Sequence, residues 1–176
     1  MDVSKQHKKA FIILLVMFLV IALTFGSSIL YWYIAIDAPF RKYEQAVGDY
    51  TQTFPIVETF KGTCIDGKIY KVIKPKFMKY NGILSVYDEI TPSSFSGDTS
   101  QIDMRLTLTI NVSPMGKLNY SIETISDLGV DLTIRIDEHG NILEDSVNEA
   151  NEQILKKNHD EIEKMLTIAK ELWELE

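Results

Sequence analysis

Cysteine, histidine and paired carboxylates are where chemistry would start, and in this sequence they do not assemble into a motif. Cys64 is the single cysteine. A thiolate nucleophile would need a base such as His139 beside it, and nothing local joins the two, so Cys64 is expected to be a small strand residue next to a turn. The histidines, His7, His139 and His159, are scattered. No H-E-x-x-H, C-x-x-C or EF-hand spacing occurs, so no metal or other cofactor is expected. Asp88-Glu89 and Asp137-Glu138 are adjacent carboxylates, but neighbours on a strand point to opposite faces, a poor arrangement for an acid–base pair. No G-x-S-x-G, Walker A or G-x-G-x-x-G segment is present. The expectation is a protein that is not an enzyme.

The one concentrated chemical feature is basic. Lys61, Lys68, Lys71, Lys74, Lys76 and Lys79 face Asp66 alone, with Tyr70, Phe77 and Tyr80 interleaved. Clustered lysines raise the local concentration of anions. Lys68, Lys71, Lys74, Lys76 and Lys79, with Tyr70, are therefore candidate contacts for lipid headgroups, an anionic wall polymer or an acidic protein. The competing expectation is a solvated edge hairpin whose lysines discourage strand-to-strand aggregation.

What positions these residues begins with an apolar segment. Phe11 to Ile36 carries no charge and follows Lys5-Gln6-His7-Lys8-Lys9. A helix needs about 20 apolar residues to cross a hydrocarbon core of about 30 Å. Residues 10–36 are thus expected to be a transmembrane anchor, contacting the bilayer, with Lys8 and Lys9 at one interface and Tyr31, Trp32 and Tyr33 at the other. The basic tail, residues 1–9, places the N-terminus in the cytoplasm and residues 37–176 outside it. A cleaved signal peptide would have a shorter apolar region, about 7–15 residues, ending at a small-x-small site. Thr24-Phe25-Gly26 fits that poorly, so the anchor is expected to stay uncleaved.

Removing Asp2, Lys5, Lys8 and Lys9 from the totals of 25 acidic and 18 basic residues leaves 24 and 15 beyond the anchor, a net charge of −9. That argues against nucleic-acid binding, which needs a basic footprint. Lysine outnumbers arginine 15 to 3, a bias suggestive of an AT-rich bacterial genome.

Asp37-Ala38-Pro39 reads as a helix start with a bend. Phe40, Tyr43, Val47, Tyr50 and Phe54 then share one helical face up to Pro55. Asp66-Gly67 and Asn81-Gly82 suit type I′ hairpin turns, with strands at 63–65, 68–73, 77–80 and 83–90. Ile102, Met104, Leu106, Leu108, Ile110 and Val112 alternate with polar residues, predicting one buried and one wet face. Alternation continues over 118–123 and 130–136 across short turns, which makes an antiparallel meander. From Asp145 onward Val147, Ala150, Ile154, Ile162, Leu166, Ala169 and Trp173 form an apolar helical stripe. Asn158-His159-Asp160-Glu161 resembles a capping box, so a helix broken near 157–159 and one continuous helix are both open. Packing of this helix on the sheet is favoured over a coiled-coil seam, which would need more heptads. Asn111-Val112-Ser113 and Asn119-Tyr120-Ser121 match the N-glycosylation acceptor only by chance.

The predicted fold class is α+β: an N-terminal transmembrane helix, then one exported domain whose meander is covered on one face by an N-terminal and a C-terminal helix. In shape alone it resembles cystatin-like and pilin-like envelope domains, and such an analogy transfers no function. The expected function is a membrane-anchored, non-catalytic binding or scaffolding protein of the bacterial envelope, with another envelope protein as partner. A pilin-like or secretion-system subunit is the alternative, weakened because no glutamate follows Ala10-Phe11. An enzyme with a dispersed site is the third class, and a pocket collecting polar side chains would mark it.

Overall fold

The computed structural model describes residues 3–53, 57–89, 105–126 and 129–175. Helix α1 (Val3–Trp32), a π turn (Tyr33–Asp37) and α2 (Ala38–Ala46) follow one another without a break. Phe11–Ala46 is the single described helix long and apolar enough to cross a membrane, with a mean hydropathy of 2.7 in its most apolar window and no burial there.

Asp37 does not start a new helix. Its torsions are helical, φ −67° and ψ −42°, and its side chain makes no cap bond. The Ala38 amide donates five residues back, to the Tyr33 carbonyl. Pro39 has no amide hydrogen and would crowd the Ala35 carbonyl in an ideal α turn, so a widened turn accommodates it.

The helix also ends sooner than its apolar spacing suggests. Val47 is extended, φ −121° and ψ 160°, and Gly48–Gln52 forms strand β1. Tyr50, expected on the helical face of Phe40 and Tyr43, instead lies opposite Phe60 on β2. Pairing with a neighbouring strand outweighs a helical pattern weakened by Gly48. Phe54 and Pro55 lie outside the described residues.

Strands β2 (Glu58–Ile65), β3 (Lys68–Ile73), β4 (Gly82–Asp88), β5 (Arg105–Val112), β6 (Leu118–Ser126) and β7 (Gly129–Ile136) complete the sheet. Its seven strands pair in sequence order, all antiparallel, so the fold is α+β with a simple meander. Asp66 and Gly67 both have positive φ, 51° and 74°, as a type I′ turn requires. Asn81-Gly82 is not such a turn. Residues 74–81 form a longer loop in which Phe77–Tyr80 is not a strand, and Gly82 opens β4. Pro75 cannot donate to a ladder, and the Lys79 amide turns back onto the Lys76 carbonyl at 2.8 Å. Ile102 and Met104 lie outside the described residues.

The C-terminal segment is two helices, α3 (Glu149–Lys157) and α4 (His159–Trp173). The break at Asn158 is present, but its amide group donates to the Ile154 carbonyl at 2.8 Å, closing α3 instead of capping α4. α3 begins later than Asp145, capped by Asn148, whose side chain accepts from the Asn151 amide. Val147 and Ala150, expected on the apolar stripe, are exposed. α4 supplies the buried residues of this segment's apolar stripe, while from α3 only Ile154 and Leu155 pack, partly buried, against the core.

One core joins these elements. Tyr70, Val72, Leu84, Val86, Leu106, Leu108, Ile110 and Ile122 meet Phe40 and Tyr43 of α2 and Ile162, Met165, Leu166, Ala169 and Trp173 of α4. The sheet is therefore covered on one face by an N-terminal and a C-terminal helix.

Candidate functional site: a cleft on the second sheet face

Because side chains alternate along a strand, Ile83, Ser85 and Tyr87 of β4 and Arg105, Thr107 and Thr109 of β5 project opposite to the core. Ser85 stands across from Thr109, and Thr107 across from Glu123 on β6. This face is not uniformly wet, as the alternating pattern implied. Thr107 and Thr109 are each 6% exposed and Ser85 8%. Short hydroxyl residues at the centre sit below longer ones at the edges, so the middle of the sheet is sheltered on both faces.

The result is a cavity of about 380 Å³. Ser85, Thr107 and Thr109 make its floor, Ile73, Ile83 and Tyr87 an apolar wall, and Asp88, Arg105 and Glu123 its charged margin. That volume lies in the range of small-molecule or side-chain pockets, and few convergent polar groups among apolar ones is their usual lining. Burial, then the Glu58 carboxylate, pushes the Tyr87 phenol up to about 12, so it offers a neutral hydroxyl at physiological pH.

A polar strap crosses the neighbouring part of this face. The Tyr50 hydroxyl donates to Glu89, which also accepts from the Cys64 thiol at 3.4 Å. Strands lie about 4.8 Å apart, so Tyr50 on β1 and Glu89 just beyond β4 reach toward each other over β2 and β3. Ile69, on β3 between Cys64 and Tyr87, is fully buried there. The hydrogen bond to Glu89 pushes Tyr50 up to about 12. Burial and then Glu89 raise the Cys64 thiol, the reverse of what activates a cysteine nucleophile.

The lysines of 61–80 do not form one surface. Lys68 bonds Asp88 at 2.7 Å and also Glu161. Burial works against its charge, but these two carboxylates outweigh it and hold Lys68 above its ordinary range. Lys71 pairs with Glu58 at 2.8 Å and lies 4.1 Å from the centre of the Phe60 ring. Lys74 pairs with the buried Asp37, which Arg41 also holds at 2.6 Å, and lies 3.9 Å from Glu44. Lys61 meets Asp49 at 2.8 Å. Tyr70 cannot be a contact residue: it is fully buried, its ring 5.9 Å from Trp173. The acids that neutralise these lysines lie outside the segment 61–80, from Asp37 to Glu161, so a count of charge within it cannot see them. Lys76 and Lys79 remain exposed.

At the ends of α1, Lys8 and Lys9 are exposed at one end and Tyr31 and Tyr33 at the other. Trp32 differs. It is 5% exposed, with Nε1 donating to the Lys79 carbonyl at 2.7 Å and its ring 5.1 Å from Phe77. Among the described residues no group of three or more His, Cys, Asp or Glu side chains is placed to hold a metal.

Fold and cleft together define an α+β domain carried on an apolar N-terminal helix. No family model matches the chain, and no curated protein or solved structure matches it either.

Proposed function

We propose that this is a single-pass membrane protein with a cytoplasmic N-terminus, whose extracytoplasmic domain, residues 37–176, binds or scaffolds an envelope partner without catalysing a reaction. The cleft over Ser85, Thr107 and Thr109 carries this reading. A sheet face that served only solubility would be filled or flat, whereas this one keeps sheltered hydroxyls beside apolar and charged side chains. Such a lining suits an inserted side chain or short peptide segment of the partner.

Two experiments test it. For topology, mass spectrometry of the membrane fraction should recover the intact N-terminus, and protease added outside cells with a permeable envelope should digest the domain. A mature chain beginning near Ser27, or a protected domain, would overturn the orientation. For the cleft, a photo-crosslinking residue at Ile73, on the rim, should capture a defined partner in intact cells, while one at Glu163 on α4 should not. Thr109→Trp should fill the floor and abolish capture without loss of cooperative unfolding. Capture unaffected by Thr109→Trp would remove the cleft from consideration.

A further inference from the structure

We propose that the loop 74–81, together with the turn at Met115, is a second membrane-contacting element that binds anionic lipid headgroups; this rests on the reading that α1 crosses the bilayer. The helix rises about 32 Å between Phe11 and Trp32, close to the hydrocarbon thickness. Trp32 therefore falls at the outer boundary of the hydrocarbon. The loop is fastened there, through the Trp32 bond to the Lys79 carbonyl and the edge-on packing of Phe77 against the indole. The π turn that follows Trp32 packs against the turn Pro114–Gly116, bringing Met115 to the same end of the domain.

The exposed side chains at this level are those an interface accommodates. Phe77 is 56% exposed and Met115 83%, beside Tyr80, Lys76, Lys79 and Lys117. Lys74 is not part of the set, being held by Asp37 and Glu44. A large apolar residue at a loop tip is poorly placed in water, but at a membrane surface its ring or thioether enters the acyl boundary while lysines meet phosphate. Each lysine near an anionic surface strengthens attachment by roughly fivefold. Of the basic residues in 61–80, the two left exposed and, among the described residues, without an acidic partner are those that the Trp32 clasp sets at the membrane.

The test uses the full chain reconstituted into phosphatidylcholine vesicles with and without phosphatidylglycerol. In a Cys64→Ser background, Tyr80→Cys and, separately, Met115→Cys carry an environment-sensitive fluorophore, with Leu19→Cys and Glu163→Cys as internal references. Nitroxide lipids should quench the labels at positions 80 and 115, more strongly with phosphatidylglycerol, and leave position 163 untouched. Lys76→Gln with Lys79→Gln should remove most of the phosphatidylglycerol-dependent gain, as should high salt, which shrinks the Debye length from about 10 Å at 0.1 M to about 3 Å at 1 M. Retained cooperative unfolding of that variant shows the loss is not misfolding. Quenching at position 19 with positions 80 and 115 as aqueous as 163 would overturn the proposal alone. No quenching at position 19 would overturn the anchor and the proposal with it.

Discussion

Leu108→Asp should abolish cooperative unfolding of the domain. Leu108 is fully buried at the middle of the sheet, between Val86 on β4 and Ile122 on β6. The substitution forfeits about 1.5–3 kcal/mol of leucine burial and places a carboxylate with no partner in the core, at a cost of several kcal/mol more. A domain of this size has about 5–15 kcal/mol in all. Circular dichroism during heating is the measurement, and a sharp transition near that of the parent would show the core face to be misassigned. The neighbouring Thr107→Asp is a graded control. The alternating pattern alone suggests it is tolerated, but Thr107 is sheltered in the cleft opposite Glu123, where like charges repel. A loss of about 1–2 kcal/mol is expected, with cooperativity retained.

Gly82→Val is expected to cost about 3 kcal/mol, the upper part of the range for overpacking. A Cβ at Gly82 would stand 2.2 Å from Cζ of Phe40 and 2.6 Å from Cδ of Pro75. Phe40 is 1% exposed and packs edge-on against Tyr43, 5.7 Å between ring centres, so it has little room to yield. Glycine is needed here for close approach, not for a turn. Denaturant unfolding should show a lowered midpoint. In a double-mutant cycle, Phe40→Leu should recover part of the loss caused by Gly82→Ala, because the two residues share the contact. Strictly additive losses would contradict the geometry.

Asn81-Gly82 illustrates how much was legible in the sequence. The dipeptide is a good local hairpin signal, yet its glycine is required by Phe40, a residue more than forty positions earlier. Where structure depends on neighbours in the chain, the reading holds: the strand over 105–112 and the Asp66-Gly67 turn are both present, and of the two helical arrangements left open near Asn158 the broken one is found. Where it depends on distant partners, it does not. The lysines looked like one patch because Asp37, Asp49, Glu58, Asp88 and Glu161, which neutralise Lys61, Lys68, Lys71 and Lys74, lie outside the segment 61–80. Trp32 looked like a lipid-facing belt residue because Phe77 and Lys79 were not yet beside it. Thr107 and Thr109 announced a polar face, but a cleft also requires longer side chains on adjacent strands, and β4 and β6 supply them. A run of small hydroxyl residues flanked by larger ones in paired strands was the available signal, and it needs the register before it can be read.

The unbroken run from α1 through the π turn into α2 has a consequence for how such a domain would meet the proposed partner. A flexible tether lets a domain wander and tumble above the surface, so encounters happen at many heights and angles. Here the helix that crosses the membrane, under the proposed topology, is the helix whose Phe40 and Tyr43 are core residues. The domain can then only slide in the plane and spin about one axis, which reduces its search to two dimensions at a fixed altitude. Helical phase becomes an address: one extra residue in the anchor would raise the cleft by about 1.5 Å and swing it by about 100°. Under that topology, a partner confined to the same surface would have to present its contact to Thr107 at that height.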